Sequence, residues 1–183
     1  AAESFPPGQV YVYDSLNLST GIGLQVLYAC DLVRQGKSAE EILRALDEVR
    51  PKVRTSFMID TLEYLYKGGR CSGLQALMGT LLRIRPVIAV VDGGMIVDAK
   101  IRGPRHRGLD YMLDKFAQHA RAGQVWPGRV FVTHTTTRDE VEYVKQRIRE
   151  IMPDVREVLD TDAGSVISTH CGPGTIGILY MLK

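Results

Sequence analysis

The sequence is poor in cysteine, and the three it has, Cys30, Cys71 and Cys171, are odd in number and far apart. No short paired spacing accompanies them, so neither a disulfide framework nor a structural zinc site is indicated, and a cytoplasmic protein with reduced thiols is expected. Metal-binding spacings of His, Asp and Glu such as HExxH are missing, and no cofactor is expected. Charge of one sign is not in excess either. The 23 basic and 21 acidic residues leave +2, too little for the long-range field that nucleic acid calls for. No apolar run reaches the roughly 18 residues of a membrane-spanning helix. A basic start followed by an apolar core and a small-residue cleavage site is also lacking, so an exported chain is not expected. Finally there is no initiator methionine. Ala1 to Phe5 leads almost at once into Val10-Tyr11-Val12-Tyr13, which leads us to expect further sequence upstream.

What is present is a globular pattern, 45% hydrophobic and 24% charged, enough to bury a core. Val10 to Tyr13 reads as a strand that turns at Asp14-Ser15. Leu18, Ile22, Val26, Ala29 and Val33 recur at helical spacing up to Gly36, and Ser38 with Glu41 forms a capping box for a second helix that Pro51 closes. Thr55 to Ile59 predicts a strand, and Asp60-Thr61 a cap for a short helix through Leu62, Leu65 and Tyr66. Ser72 opens another helix with an oily face of Leu74, Leu77, Met78, Leu81 and Leu82. Val87 to Val91, Asp92-Gly93-Gly94 and Met95 to Val97 give the strongest hairpin signal. Leu109, Met112, Leu113, Phe116 and Ala120 mark an amphipathic helix. Val130 to Thr133 predicts a strand, Thr137 and Glu140 cap the helix after it, and Val155 to Leu159, Val166 to His170 and Thr175 to Leu182 predict the last three strands.

The expected fold class is α/β. Residues 1–54 form a partial parallel β/α domain, and residues 55–183 a mixed-sheet α/β domain with helices on one face.

Function-bearing residues concentrate in Ser168-Thr169-His170-Cys171-Gly172-Pro173-Gly174-Thr175, where glycines free the backbone and an imidazole, a thiol and hydroxyls crowd one turn. Such a loop presents amides and an imidazole to an anion, although a plain turn between two strands explains the same composition. Cys171 as a nucleophile would need His134 as its base, because its neighbour His170 points to the other face of a strand. The run Lys100, Arg102, Arg105, His106, Arg107 places cations at a helix amino end, against the macrodipole. That conflict marks Arg102 or Arg105 as meeting an anion or an acidic partner.

Several segments, taken in order, resemble the DegV family. They are Phe57-Met58-Ile59-Asp60-Thr61-Leu62-Glu63-Tyr64-Leu65, Lys67-Gly68-Gly69-Arg70-Cys71-Ser72, Leu82-Arg83-Ile84-Arg85-Pro86-Val87-Ile88, Asp92-Gly93, Lys100-Ile101-Arg102-Gly103 and Thr169-His170-Cys171-Gly172-Pro173-Gly174. Asp14-Ser15 with Gly21-Ile22-Gly23 extends the likeness over most of the chain. The resemblance implies a two-domain carrier that holds a long-chain fatty acid and presents its carboxylate to a separate fatty-acid kinase subunit, with no catalysis of its own. It implies a ligand site of His170, Thr169, Cys171, Gly172 and Arg102, and an acyl-chain wall of Leu62, Leu65, Leu77, Met78, Leu81 and Ile88. The serine- and glycine-rich loop of the family's amino-terminal portion is not in this sequence, so that portion is itself an expected partner. Cys171 stands where threonine is common and Ser168 where glycine is common. Two other functions remain open: a cysteine/histidine hydrolase, which requires a polar partner for Cys171 or His170, and a structural protein-binding domain, which requires a filled core without a polar end.

Overall fold

Asp92 and Gly93 both adopt positive φ, 49° and 78°, the requirement of a two-residue turn whose twist matches that of its strands. The turn joins β2 (Ile84–Val91) to β3 (Gly94–Arg102), a longer hairpin than the apolar runs alone predict. The computed structural model describes residues 2–70, 84–135 and 138–183. Among them the order continues from helices α1 (Thr20–Arg34) and α2 (Ala39–Val49) to strand β1 (Val53–Met58) and helix α3 (Glu63–Lys67), then the hairpin. It ends with α4 (His106–Arg121), β4 (Val125–His134), α5 (Arg138–Ile151), β5 (Glu157–Asp162), α6 (Ser165–Cys171) and β6 (Ile176–Leu182).

The strands form one sheet in the order β3-β2-β1-β6-β4-β5. Only β4 and β5 run parallel; the pairs β1/β2, β1/β6, β2/β3 and β4/β6 are antiparallel. This is the mixed sheet the sequence predicts. The parallel step follows from α5, which carries the chain from the end of β4 back to the start of β5.

Strand periodicity sorts the core into two faces. Met58, Val87, Val130, Val132, Ile176 and Ile178 pack with Leu109, Met112, Phe116 of α4 and Val141, Val144, Ile148 of α5. On the other face Val53, Phe131, Leu179 and Met181 cover Leu24 of α1, and Phe57, Ile88 and Val90 pack with Leu62 and Leu65 beside α3. Helices therefore lie on both faces, not one. The reason is that β6 and β4 are apolar on both sides and β1 adds Val53 and Phe57 to the second face, which uncovered would expose Phe57, Phe131 and Leu179.

The capping box at Ser38 is present: Glu41 N donates to Ser38 Oγ at 3.3 Å and Ser38 N to Glu41 Oε2 at 2.9 Å. Val10 to Tyr13 is not a strand. Val12 is 81% exposed and the segment has no ladder partner among the described residues, so nothing satisfies its backbone in a sheet; Tyr13 is tied down instead by its hydroxyl, which donates to Leu46 O at 2.8 Å. The oily helix after Ser72 and the cap at Thr137 lie outside the described residues.

Candidate functional site

One end of the sheet gathers the segments that the sequence singles out. Register places Met58 beside Ile176 and Ile176 beside His134, with His134 beside Asp162 and Ile84 beside Arg102. The chain leaving β1, the chain leaving β3 and the loop entering β6 therefore share that end.

His170 is not on a strand. Ser165 to Cys171 is a two-turn helix, and the alternating Val166-Ile167-Ser168-Thr169-His170 misleads because short runs of this kind fit either period. At helical spacing Ile167 and Cys171 face the core beside Phe57 and Ile59, while Val166 and Thr169 are exposed. Ser168 Oγ donates to Ala163 O at 2.9 Å and Thr169 Oγ1 to Ser165 O at 2.8 Å. Both hydroxyl protons are thus used within or just before the helix.

The amides of the turn that follows are all hydrogen-bonded. Gly172, at φ 78° and ψ 175°, takes a conformation open only to glycine. Its N–H donates to Ser168 O at 2.9 Å, Gly174 N donates to Thr135 O at 3.2 Å, and Thr175 N to Thr135 Oγ1 at 3.0 Å. The carbonyl of Gly172 accepts from the hydroxyls of Thr135 at 2.7 Å and Thr175 at 3.0 Å. The expectation that this loop offers free amides to an anion is therefore corrected: Ser168 O takes the Gly172 amide, and Thr135, just after β4, takes those of Gly174 and Thr175.

His170 is the exception. Its Nδ1 is buried and without a partner, and no side chain among the described residues hydrogen-bonds its ring, so Nε2 is the nitrogen left to act. Cys171 is buried, and burial pushes its thiol up to about 11. It has no polar side-chain partner among the described residues, and it sits as an apolar wall residue. His134 is 2% exposed, and its nearest carboxylate oxygen, Asp162 Oδ1, lies 3.5 Å from Nδ1, long for a hydrogen bond. It makes no hydrogen bond to Cys171.

The two cations behave differently. Arg102 ends β3 with its side chain exposed and forms no hydrogen bond to the α6 residues. Arg105 meets the acidic partners that its place at a helix start calls for. It donates to Asp60 Oδ1 at 2.7 Å, to both oxygens of Glu140 and to the carbonyl of Gly174. Arg85 donates to the same Asp60 oxygen at 2.8 Å and to Gly103 O at 3.0 Å. Asp60 and Glu140 read in sequence only as helix-cap residues; pairing across 45 and 35 positions leaves no local signal.

Of the expected acyl wall, Leu62, Leu65 and Ile88 are 3% exposed or less and lie in one cluster with Cys171 and, at its margin, Ile167. Leu77, Met78 and Leu81 lie outside the described residues. Beside this cluster Leu18, Phe57, Ile167, Cys171, Gly177 and Leu179 enclose an apolar crevice of about 20 Å³, room for about one water. The expected long channel is thus not open among the described residues. A larger cavity of about 690 Å³ lies along the opposite part of β1, among polar residues that include Arg50, Arg54, Asp98, Lys115 and His119, away from α6. Among the described residues no group of His, Cys, Asp and Glu is arranged to hold a metal, and no helix is long and apolar enough to cross a membrane.

Comparison with known proteins agrees with the fold. A family model described as "Uncharacterised protein, DegV family" matches residues 1–183. A DegV domain-containing protein of Deinococcus radiodurans is 37% identical over 182 residues, covering 97% of this chain and 62% of the relative. The solved structure of a DegV family protein from Thermus thermophilus, described as fatty-acid binding, superposes with a TM-score of 0.86 at 34% identity over 96% of this chain and 62% of its own. The Streptococcus pneumoniae fatty acid kinase (Fak) B3 protein, solved loaded with linoleic acid, gives 0.83 at 25% identity over 99% and 63%. The chain spans less than two thirds of the length of each.

Proposed function

The chain belongs to the DegV family, and we propose that it contributes the carboxylate-reading end and one apolar wall of a fatty-acid carrier, with residues 1–54 belonging to a unit continued by the rest of the carrier. The observation that carries this reading is His170. In the last turn of α6, before a loop whose amides are already paired, its Nε2 has no hydrogen-bond partner among the described residues and sits one residue from a wall of Cys171, Leu62, Leu65 and Ile88. An imidazole hydrogen-bonds a carboxylate, and each buried CH₂ of the tail contributes about 0.8 kcal/mol. Arg102 is exposed at the same end of the sheet, where a guanidinium meets the headgroup or an acidic face of a kinase subunit. The Thermus relative described as fatty-acid binding and the Streptococcus relative loaded with linoleic acid support the ligand class.

A thiol hydrolase is the weaker reading. With Cys171 pushed to about 11, about one thiol in ten thousand is ionised at pH 7, and no base is within hydrogen-bond reach among the described residues.

Native mass spectrometry of the intact gene product, followed by lipid extraction, tests the proposal. A stoichiometric fatty acid is expected. A protein that arrives empty and takes up no added palmitate or oleate rejects it.

A further inference from the structure

We infer that Gly68 is a positioning residue for His170, kept free of a side chain so that the imidazole can lie against its backbone with Nε2 outward. This rests on the carboxylate-reading role of His170. The two glycines of Gly68-Gly69 are glycine for different reasons. Gly69 has φ 68° and open space around it, so the backbone demands it. Gly68 has φ −79° and ψ 0°, a conformation any residue adopts. What excludes a side chain there is His170: a Cβ on Gly68 would collide with Nδ1 and lie 2.7 Å from Cε1.

The contact is reciprocal. His170 of α6 lies over the glycine that ends α3, while Tyr64 of α3 lies over Gly172, the glycine that ends α6, where a Cβ would come within 2.6 Å of Tyr64 Cε2. Each helix thus lends one ring and one bare backbone. Because Nδ1 is buried there without a hydrogen bond, packing and not a polar partner fixes the ring plane. Nothing else among the described residues holds the imidazole by hydrogen bonding, so a methyl group at position 68 must turn or push it.

The test is a double-mutant cycle on the full-length protein, using palmitate and oleate affinity and thermal midpoint as readouts. Gly68→Ala is expected to weaken fatty-acid binding by about tenfold or more, yet to change it by less than about twofold in a His170→Ala background, where the obstructed ring is gone. The same loss in both backgrounds, or wild-type affinity for Gly68→Ala when His170→Ala binds weakly, overturns the inference. Should Gly68→Ala fail to fold, the double variant is expected to recover, and continued unfolding counts against it. If His170→Ala itself binds as well as wild type, the carboxylate reading fails separately. The positional claim is then read from the His170 Cε1–H resonance, which Gly68→Ala must shift; an unmoved resonance overturns it.

Discussion

At the scale of single residues, His170 and Cys171 are sequence neighbours with opposite fates. One turn of helix sends the thiol to the core and leaves one imidazole nitrogen outward, a separation that a strand would also have made but with different neighbours. The crowding of an imidazole, a thiol and glycines at residues 168–175 was legible in sequence. That the Gly174 and Thr175 amides are consumed was not, because the group consuming them is Thr135, 37 residues from the Gly172 carbonyl it also binds. The state of Cys171 is directly measurable. With the thiol buried and pushed up to about 11, and Cys30 exposed on α1, iodoacetamide at pH 7.5 is expected to modify Cys30 in the native protein and Cys171 only on unfolding. Peptide mass mapping over time checks this, and a Cys171 that reacts as fast as Cys30 contradicts it.

Elements were readable where one pattern suffices. The capping box of α2, the Asp92-Gly93 hairpin and the apolar face of α4 all stand where periodicity and turn chemistry place them. The misplaced ones, residues 10–13 and α6, are those where β-branched composition is not matched by a partner to pair with. What joins elements was signalled only by a conflict, a cation at the amino end of α4. Arg105 resolves it by tying α4 to Asp60 after β1, Glu140 on α5 and the Gly174 carbonyl before β6. Its side chain is 19% exposed and that of Glu140 is 23% exposed, so removing it takes the two-pronged guanidinium contact from a half-buried carboxylate and the link to Asp60 and Gly174 with it. Arg105→Ala is expected to cost about 2–3 kcal/mol in urea unfolding, less than a fully buried pair would. Arg105→Lys, which keeps the charge and loses the fork, should fall between. A change below about 0.5 kcal/mol for Arg105→Ala would show that this junction is not what holds the loop.

For the molecule as a whole, the mixed sheet was legible because the hairpin and the strand–helix–strand passage each leave their own pattern. The second covered face was not, since a strand apolar on both sides and one apolar on a single side differ by only a residue or two. Global stability carries an acid signature. Hydrogen bonds from Lys145 and then Arg138 hold Asp160 down to about 2, well below the usual carboxylate range. A depressed carboxylate stabilises the fold above its unfolded value near 3.8 and loses that contribution as pH falls toward 2. Asp160→Asn is therefore expected to lower stability at pH 7 by about 1 kcal/mol, after allowance for solvent screening of a partly exposed pair. The deficit should shrink between pH 4 and 2, and a deficit independent of pH in urea titrations would contradict the assignment.

The central claim is that His170 reads a carboxylate. Titrating the full-length protein and its His170→Ala variant with palmitate and with methyl palmitate tests it most directly, because the ester keeps the tail and removes the charge. The wild type is expected to prefer the acid by about tenfold or more and the variant to bind both alike; equal discrimination by the two proteins would mean that some other group reads the headgroup.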